Sequence, residues 1–331
     1  MNISDVDVII SISEQTGKAG EWFPLIYVPS ASDTGAVYKE YTSLSEIAPD
    51  FAATTDAYKA ASLMFMQDKE YIPEKVAILK GGATVMTTLN SYLDKDWRQL
   101  IIAGEDYDSA VSTAIEATEK MYFTHFATTQ ALTTAAIKSN DRTVGIVYTG
   151  TDVPNPEAAI VGRMAGVAAG SATYHAKEVK GVTADAFTVT ELNAIHTAGG
   201  FAYVLKNGRV ATSNGIVGSG EYIDVIDSED YLVQNIRYDV QEVFLNNDKV
   251  PYTDAGIAKI ENAVRVVLAR AFNNGMIATN DDGTPAYSTS FKLRSQTTAE
   301  DRITRNYPYG TFEFELAGAI HKAKIKGVVM A

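Results

Sequence analysis

The sequence predicts an α/β layer with a mixed, largely parallel sheet, followed by an α+β region, with a further strand at each extreme end of the chain. Three observations predict it. Short β-rich runs alternate with amphipathic helical stretches from Trp22 to about Val182. The texture changes near Val189 to a short helix, a hairpin and two long helices. Period-2 segments occupy both ends, Val6–Ser13 and Ile320–Val329.

The first segment, "VDVIISIS", places Val6, Val8, Ile10 and Ile12 on one side of a strand and Asp7, Ile9, Ser11 and Ser13 on the other. The polar stretch "EQTGKAGEW" comes next without periodicity and reads as a linker, so residues 1–20 form an arm. From Glu14 to Gly20 it spans at most about 25 Å, enough to carry the strand well away from the α/β region. That region, 21–188, contains the strands "FPLIYV", "KVAILK", "QLIIAG", "MYFTHFAT" and "TVGIVYT". Between them, "TSLSEIAPDF" opens on a Thr42 or Ser43 cap. "DAYKAASLMFMQ" is rich in helix formers, and "DSAVSTAIEATEKM" has Asp108 as its N-cap.

In residues 189–315, Asn207-Gly208 is a two-residue hairpin signal between two strands. "EYIDVID" reads as a strand, after which Ser228 and Asp230 open a helix through Phe244. A second helix starts at Thr253 or Asp254 after Pro251 and stops at Gly275. "NDDGTPAYSTSFKL" turns into a strand, and "YGTFEFELAGAIHKAKIKGVV" supplies one long strand or two consecutive ones, ending in a C-terminal arm at 316–331.

Composition narrows the chemistry. The chain has 331 residues, 46% of them hydrophobic, and no apolar run near the roughly 20 residues of a membrane span. Asp5 and Asp7 stand where a signal peptide would be basic, so a cytoplasmic product without membrane insertion is expected. Without cysteine there is neither a disulfide framework nor a thiolate metal site. A net charge of −13 disfavours nucleic acid as a partner. The charge is uneven, because seven basic and four acidic residues lie beyond Phe291. "TGKAG" lacks the spacing of a phosphate-binding loop, and "GSGEY" reads as a turn before a strand. His125, His175, His196 and His321 are scattered singly and read as structural. "TNDDGTPAY" misses the register of a calcium loop. Neither catalytic residues, a metal site nor a cofactor is predicted.

The terminal strands are complementary. Asp5 and Asp7 flank one apolar stripe, while Lys322, Lys324 and Lys326 alternate with Ala323 and Ile325 in the other. Opposite charges across a strand pair stabilise it by about 0.2–1 kcal/mol each. Two pairings satisfy this pattern: the strand closes on its own chain's sheet, or the linker donates it to a neighbour.

Three stretches, "NGRVATSNGIVGSGEYIDVIDSEDYLVQNI", "NDKVPYTDAGIAKIENAVRVVLARAFNNGMI" and "YPYGTFEFELAGAIHKAKIKGVV", together resemble contractile tail sheath proteins of bacteriophages and phage-tail-like particles. "FPLIYVPSASDTGAVYKEYTSLSEIAPDF" resembles the start of their first globular domain. The resemblance implies a homo-oligomer of six-fold rings stacked around a tail tube, bounded by a baseplate and a tail terminator. It places the product in the tail of a virion or tail-like particle, assembled in the host cytoplasm. It makes 21–188 an outer domain and 189–315 an inner α+β domain, completed by exchanged strands. Val6, Val8, Ile10 and Ile12 would form one intersubunit strand, and Lys322, Ala323, Lys324, Ile325 and Lys326 the other. The basic surplus after Phe291 would meet an acidic tube, with Lys259, Arg265 and Arg270 as further tube contacts, although these three do not share one helical face. The alternative is an α/β enzyme with a small-molecule cleft at the carboxyl ends of the parallel strands, around Lys80–Gly82 and Thr149–Thr151.

Overall fold

The computed structural model describes residues 22–30 and 35–321. Its first strand, β1 (Phe23–Ser30), shows why the sheet is buried on both faces. Phe23, Leu25 and Tyr27 enter one apolar cluster and Ile26 enters another. In β4 (Trp97–Ile102) and β5 (Met121–Phe126) every residue is buried, as expected of a parallel sheet covered on both faces, with Arg98, Gln99, Thr124 and His125 interrupting the apolar runs.

Around β1 the chain lays down β2 (Val37–Tyr41), α1 (Leu44–Ile47), α2 (Asp56–Phe65), β3 (Val76–Gly82) and α3 (Val85–Leu89). After β4 come α4 (Ser109–Ile115), β5, α5 (Thr129–Ala135), β6 (Thr143–Val147), α6 (Glu157–Met164), α7 (Val189–Thr197), β7 (Gly200–Lys206) and β8 (Arg209–Thr212). The sheet order is β2-β3-β1-β4-β5-β6-β7-β8. The six inner strands run parallel, and β2 and β8 pair antiparallel at the edges. One face carries α2 and α6 through Ala60, Ala61, Met64, Ile160 and Val161, and the other carries α3 and α4 through Val85, Leu89, Val111 and Ile115.

Local signals place these elements. Asp108 accepts hydrogen bonds from the Ala110 and Val111 amides and caps α4, as the sequence predicts. Asn207 (φ 51°) and Gly208 (φ 78°) form the predicted two-residue turn of the β7–β8 hairpin. At Gly162, a Cβ would fall 2.7 Å from the Met64 carbonyl oxygen of α2, so α6 packs there backbone to backbone. Gly162→Ala should therefore force the helices apart and destabilise the fold by about 1–3 kcal/mol, measured as a shift of the denaturant midpoint at unchanged slope.

The described residues divide into compact units between Gln234 and Asn235, whereas the sequence reading sets a domain boundary at 188/189. The reason is that β7 pairs in parallel with β6, through Ile146↔Phe201 and Val147↔Ala202, and carries β8 into the same sheet. The irregular stretch before 189 is a long crossover. One expectation is corrected, the strand at "EYIDVID": α8 (Ile223–Leu245) already begins there. Ile223 and Ile226, one helical turn apart, are both buried, and that spacing outweighs the short alternation.

The unit from Asn235 onward holds the end of α8, then α9 (Asp254–Asn273), β9 (Tyr287–Phe291), α10 (Ala299–Thr304) and β10 (Gly310–Phe314). Both ends of α9 obey the sequence signals. Thr253 caps it by accepting from the Gly256 amide at 3.2 Å, and Gly275 (φ 79°) turns the chain after it.

Candidate assembly surface

In the unit from Asn235, β9 and β10 pair antiparallel, with Phe314 opposite Tyr287, Phe312 opposite Thr289 and Gly310 opposite Phe291. Alternation gives this small sheet two unlike faces. Ser288, Ser290, Thr311 and Glu313 are exposed, whereas Tyr287, Thr289, Phe291, Phe312 and Phe314 are half-buried. Thr289 Oγ1 donates to Glu261 Oε1 of α9 at 2.8 Å, which identifies the half-buried face as the one on the helix. Gly310 is a glycine because a Cβ there would lie 2.6 Å from the Phe291 ring. Beyond β10 the ladder shifts to Met276–Ala278: Ile277 bridges Leu316, and the Ala278 amide donates to the Glu315 carbonyl at 2.8 Å.

Among the described residues this sheet has two strands, each paired on one side. A two-stranded ribbon is marginal alone, and an open edge exposes unpaired amides and carbonyls. Phe312 and Phe314 on β10 remain only half covered, so further apolar side chains laid along that strand would complete the layer. Val6, Val8, Ile10 and Ile12, and Lys322, Ala323, Lys324, Ile325 and Lys326, lie outside the described residues.

An aromatic cluster braces one end of the sheet. Tyr307 stacks on Phe291 with ring centroids 6.2 Å apart and meets Tyr252 and Tyr309 edge-on. Its hydroxyl donates to the Lys292 carbonyl at 2.7 Å, and burial pushes its pKa up to about 12. Lys292 Nζ lies 4.3 Å from the Tyr309 ring centroid, and Arg302 donates to the carbonyl and hydroxyl of Thr297. Part of the basic surplus is thus turned onto its own unit.

The three cations proposed from the sequence sit on α9. Lys259 Nζ donates to Asn247 Oδ1 at 2.6 Å. Arg270 reaches Asp239 of α8 at 2.6 Å, and Arg265 pairs with Glu261 one turn away. Lys259 and Arg270 share the side toward α8 and the loop after it while Arg265 does not, in keeping with the expected split of faces. Thr253→Ala should weaken the start of this helix by about 1 kcal/mol, read as a lower denaturant midpoint.

At the carboxyl ends of the parallel strands, where an α/β enzyme would place its cleft, the polar groups are partners of one another. Tyr27 Oη donates to the Gly82 carbonyl at 2.7 Å, and a Cβ on Gly81 would run into Tyr27 and Thr88. Tyr148 donates to Asp152 at 2.8 Å, and Thr149 donates to Asp185 from both its amide and its hydroxyl. His125, in β5, lies between Asp106 and Glu157. Among the described residues no group of three or more acidic or histidine side chains is arranged to hold a metal.

A second buried network ties α8 to the sheet. Arg98 of β4, 1% exposed, pairs with Asp227 at 2.7 Å and with Asp230, which Arg142 also contacts. Trp22 stacks over the Arg98 guanidinium at 4.2 Å. Burial raises the Asp227 carboxyl although Arg98 opposes it, whereas Arg98 and Arg142 together overcome burial and hold Asp230 below the ordinary range. A cavity of about 40 Å³ beside Asp227, lined by Trp22, Gln99 and Tyr174, has room for a water or two but not for a metabolite. Arg98, Asp227 and Asp230 carry no local motif, and only the fold brings them together.

Residues 223–329 match the family described as the E217 tail sheath protein gp31-like C-terminal domain. That match opens at the first residue of α8. Over nearly the whole length, the fold is similar to a chain in the six-fold symmetrised baseplate of the anti-feeding prophage, with a TM-score of 0.74, 14% identity, and coverage of 97% of this chain and 98% of that one. The chain has the fold of a contractile sheath protein. The same sheath fold recurs in the contracted helical sheath of the anti-feeding prophage (TM-score 0.72, 13% identity, 99% of both chains). It recurs again in the contracted PVC sheath of an extracellular contractile injection system (TM-score 0.70, 12% identity, 96% and 94%). No curated protein matches by sequence.

Proposed function

We propose that this chain is the structural subunit of a contractile tail sheath, polymerising as six-fold rings stacked around a tail tube. Its contraction drives the tube through the target envelope. The observation that carries the reading is the β9–β10 sheet, two-stranded among the described residues, whose unpaired edges there and half-covered Phe312 and Phe314 accompany a fold shared with sheath chains. Strands donated by neighbouring copies would supply the missing partners. Val6, Val8, Ile10 and Ile12 would lie on one side of the completed sheet, and Lys322 to Lys326 would continue it on another copy.

Main-chain hydrogen bonds between copies would link subunits permanently, while rigid-body movement changes the ring spacing. The tube would lie inside, with Lys259, Arg265 and Arg270 as its candidate contacts, and the baseplate and terminator would cap the polymer. The subunit would be assembled in the bacterial cytoplasm and end up in the tail of a phage or tail-like particle. The enzyme reading has less support, because the groups at the carboxyl ends of the strands bond to one another. Negative-stain electron microscopy of the purified protein over a range of concentration and salt tests the proposal. Rings or hollow tubules of one diameter, alone or on added tube protein, are expected. Small monodisperse particles under every condition, tube included, would refute it.

A further inference from the structure

The histidine of β5 occupies an unusual position. His125 Nε2 lies 3.0 Å from Asp106 Oδ1, in the loop after β4, and its Nδ1 lies 2.9 Å from Glu157 Oε2, in the first turn of α6. Ionised carboxylates only accept hydrogen bonds, and a neutral imidazole has a single N–H to give. Only the imidazolium, with an N–H at each nitrogen, pairs with both carboxylates at once, and at the buried Nδ1–Glu157 Oε2 end neither atom has another partner. The Asp106 side chain is largely exposed. Glu157 is buried, accepts from Asn155 Nδ2 at 2.7 Å and stands at the start of α6.

We propose that His125 is a proton-dependent latch, whose imidazolium form ties the loop after β4 and the start of α6 to the end of β5. Neutral bonds complete the frame. Asn155 accepts from the Gly104 amide and donates to the Ile102 carbonyl, both at 2.9 Å, and Thr124 donates to the Asp106 carbonyl at 2.8 Å. These bonds hold the backbone, whereas the proton holds the two carboxylates. When the ring becomes neutral, one carboxylate loses its donor, and the one left buried is Glu157.

The charged groups acting on the ring are Asp106 from the loop and Glu157 from α6, with Tyr122 of β5 and Tyr203 of β7 facing the Glu157 end. Burial alone would lower the imidazole's pKa. The hydrogen bond and charge of Glu157, and after them those of Asp106, outweigh burial and raise it. A basic group raised on folding contributes stability that is complete below its unfolded pKa, about 6.5, and is lost as pH rises through the folded value. The latch is therefore closed in acid and loosens toward alkaline pH.

Two measurements on the full-length chain test this. The histidine Cε1 positions are carbon-13 labelled and titrated by NMR, with His125→Gln identifying the signal; its midpoint is expected above the ordinary value of about 6.5. Over that window the unfolding constant of the wild type should climb by up to about tenfold per pH unit relative to His125→Gln. A midpoint at or below the ordinary value, or parallel stability profiles, would overturn the proposal. Should His125→Gln fail to fold, Glu157→Gln removes the buried charge while keeping its shape. It should move one histidine titration downward, and four unmoved titrations would equally sink the idea.

Discussion

Removal of residues 1–14 is expected to leave a folded chain that no longer polymerises. The described hydrophobic core begins at Phe23 and is completed by strands and helices downstream, so folding of the eight-stranded unit is built from those residues. Polymerisation, in contrast, would lose the strand carrying Val6, Val8, Ile10 and Ile12, and with it the main-chain bonds to a neighbour's sheet. Circular dichroism and a cooperative melt would check the fold, and negative-stain microscopy on tube protein would check assembly. Sheath of normal length from the truncated chain would refute strand donation while leaving the fold assignment intact.

Arg98→Met is expected to destabilise the fold by about 3–5 kcal/mol, because it strips the buried Asp227 of its guanidinium and leaves Asp230 only Arg142. Asp227 would respond by taking up a proton. With its folded pKa raised further above the unfolded value of about 3.9, the stability it contributes is lost as pH rises, so the deficit should shrink near pH 5 relative to pH 7. Adding Asp227→Asn to Arg98→Met should recover part of the loss. Urea unfolding at the two pH values measures all three effects. A deficit below about 1 kcal/mol would mean that water reaches the carboxylates and that the pairs behave like surface ion pairs.

Much of the fold was legible because its signals are local. The apolar runs of β1 and β3 to β6, the Asp108 and Thr253 caps, the Asn207-Gly208 turn and the stop at Gly275 each arise from residues within a few positions of one another. α6 was harder to read. Its sixth residue of eight is Gly162, a poor helix former placed there by close approach to Met64, and Pro154 and Pro156 precede it. Ile223–Asp227 was misread as a strand because five residues can satisfy both periods until burial selects one.

The polar networks lay beyond reach for a different reason. Asp106, His125 and Glu157 come from a loop, a strand and a helix, and Arg98, Arg142, Asp227 and Asp230 likewise come from three separate segments. No spacing rule links such residues, since the crossovers between parallel strands set their distances.

Periodicity, caps and turns were thus sufficient for the identity of most elements, and the alternating segments at the two ends were sufficient to raise strand exchange. Those properties depend on neighbours along the chain. The placement of β7 and β8 in the large sheet, the unit boundary inside α8, the β9–β10 pairing and the buried His125 and Arg98 clusters depend on which strand lies beside which. Pairing partners are chosen by burial summed over distant segments, a quantity that only the tertiary structure expresses.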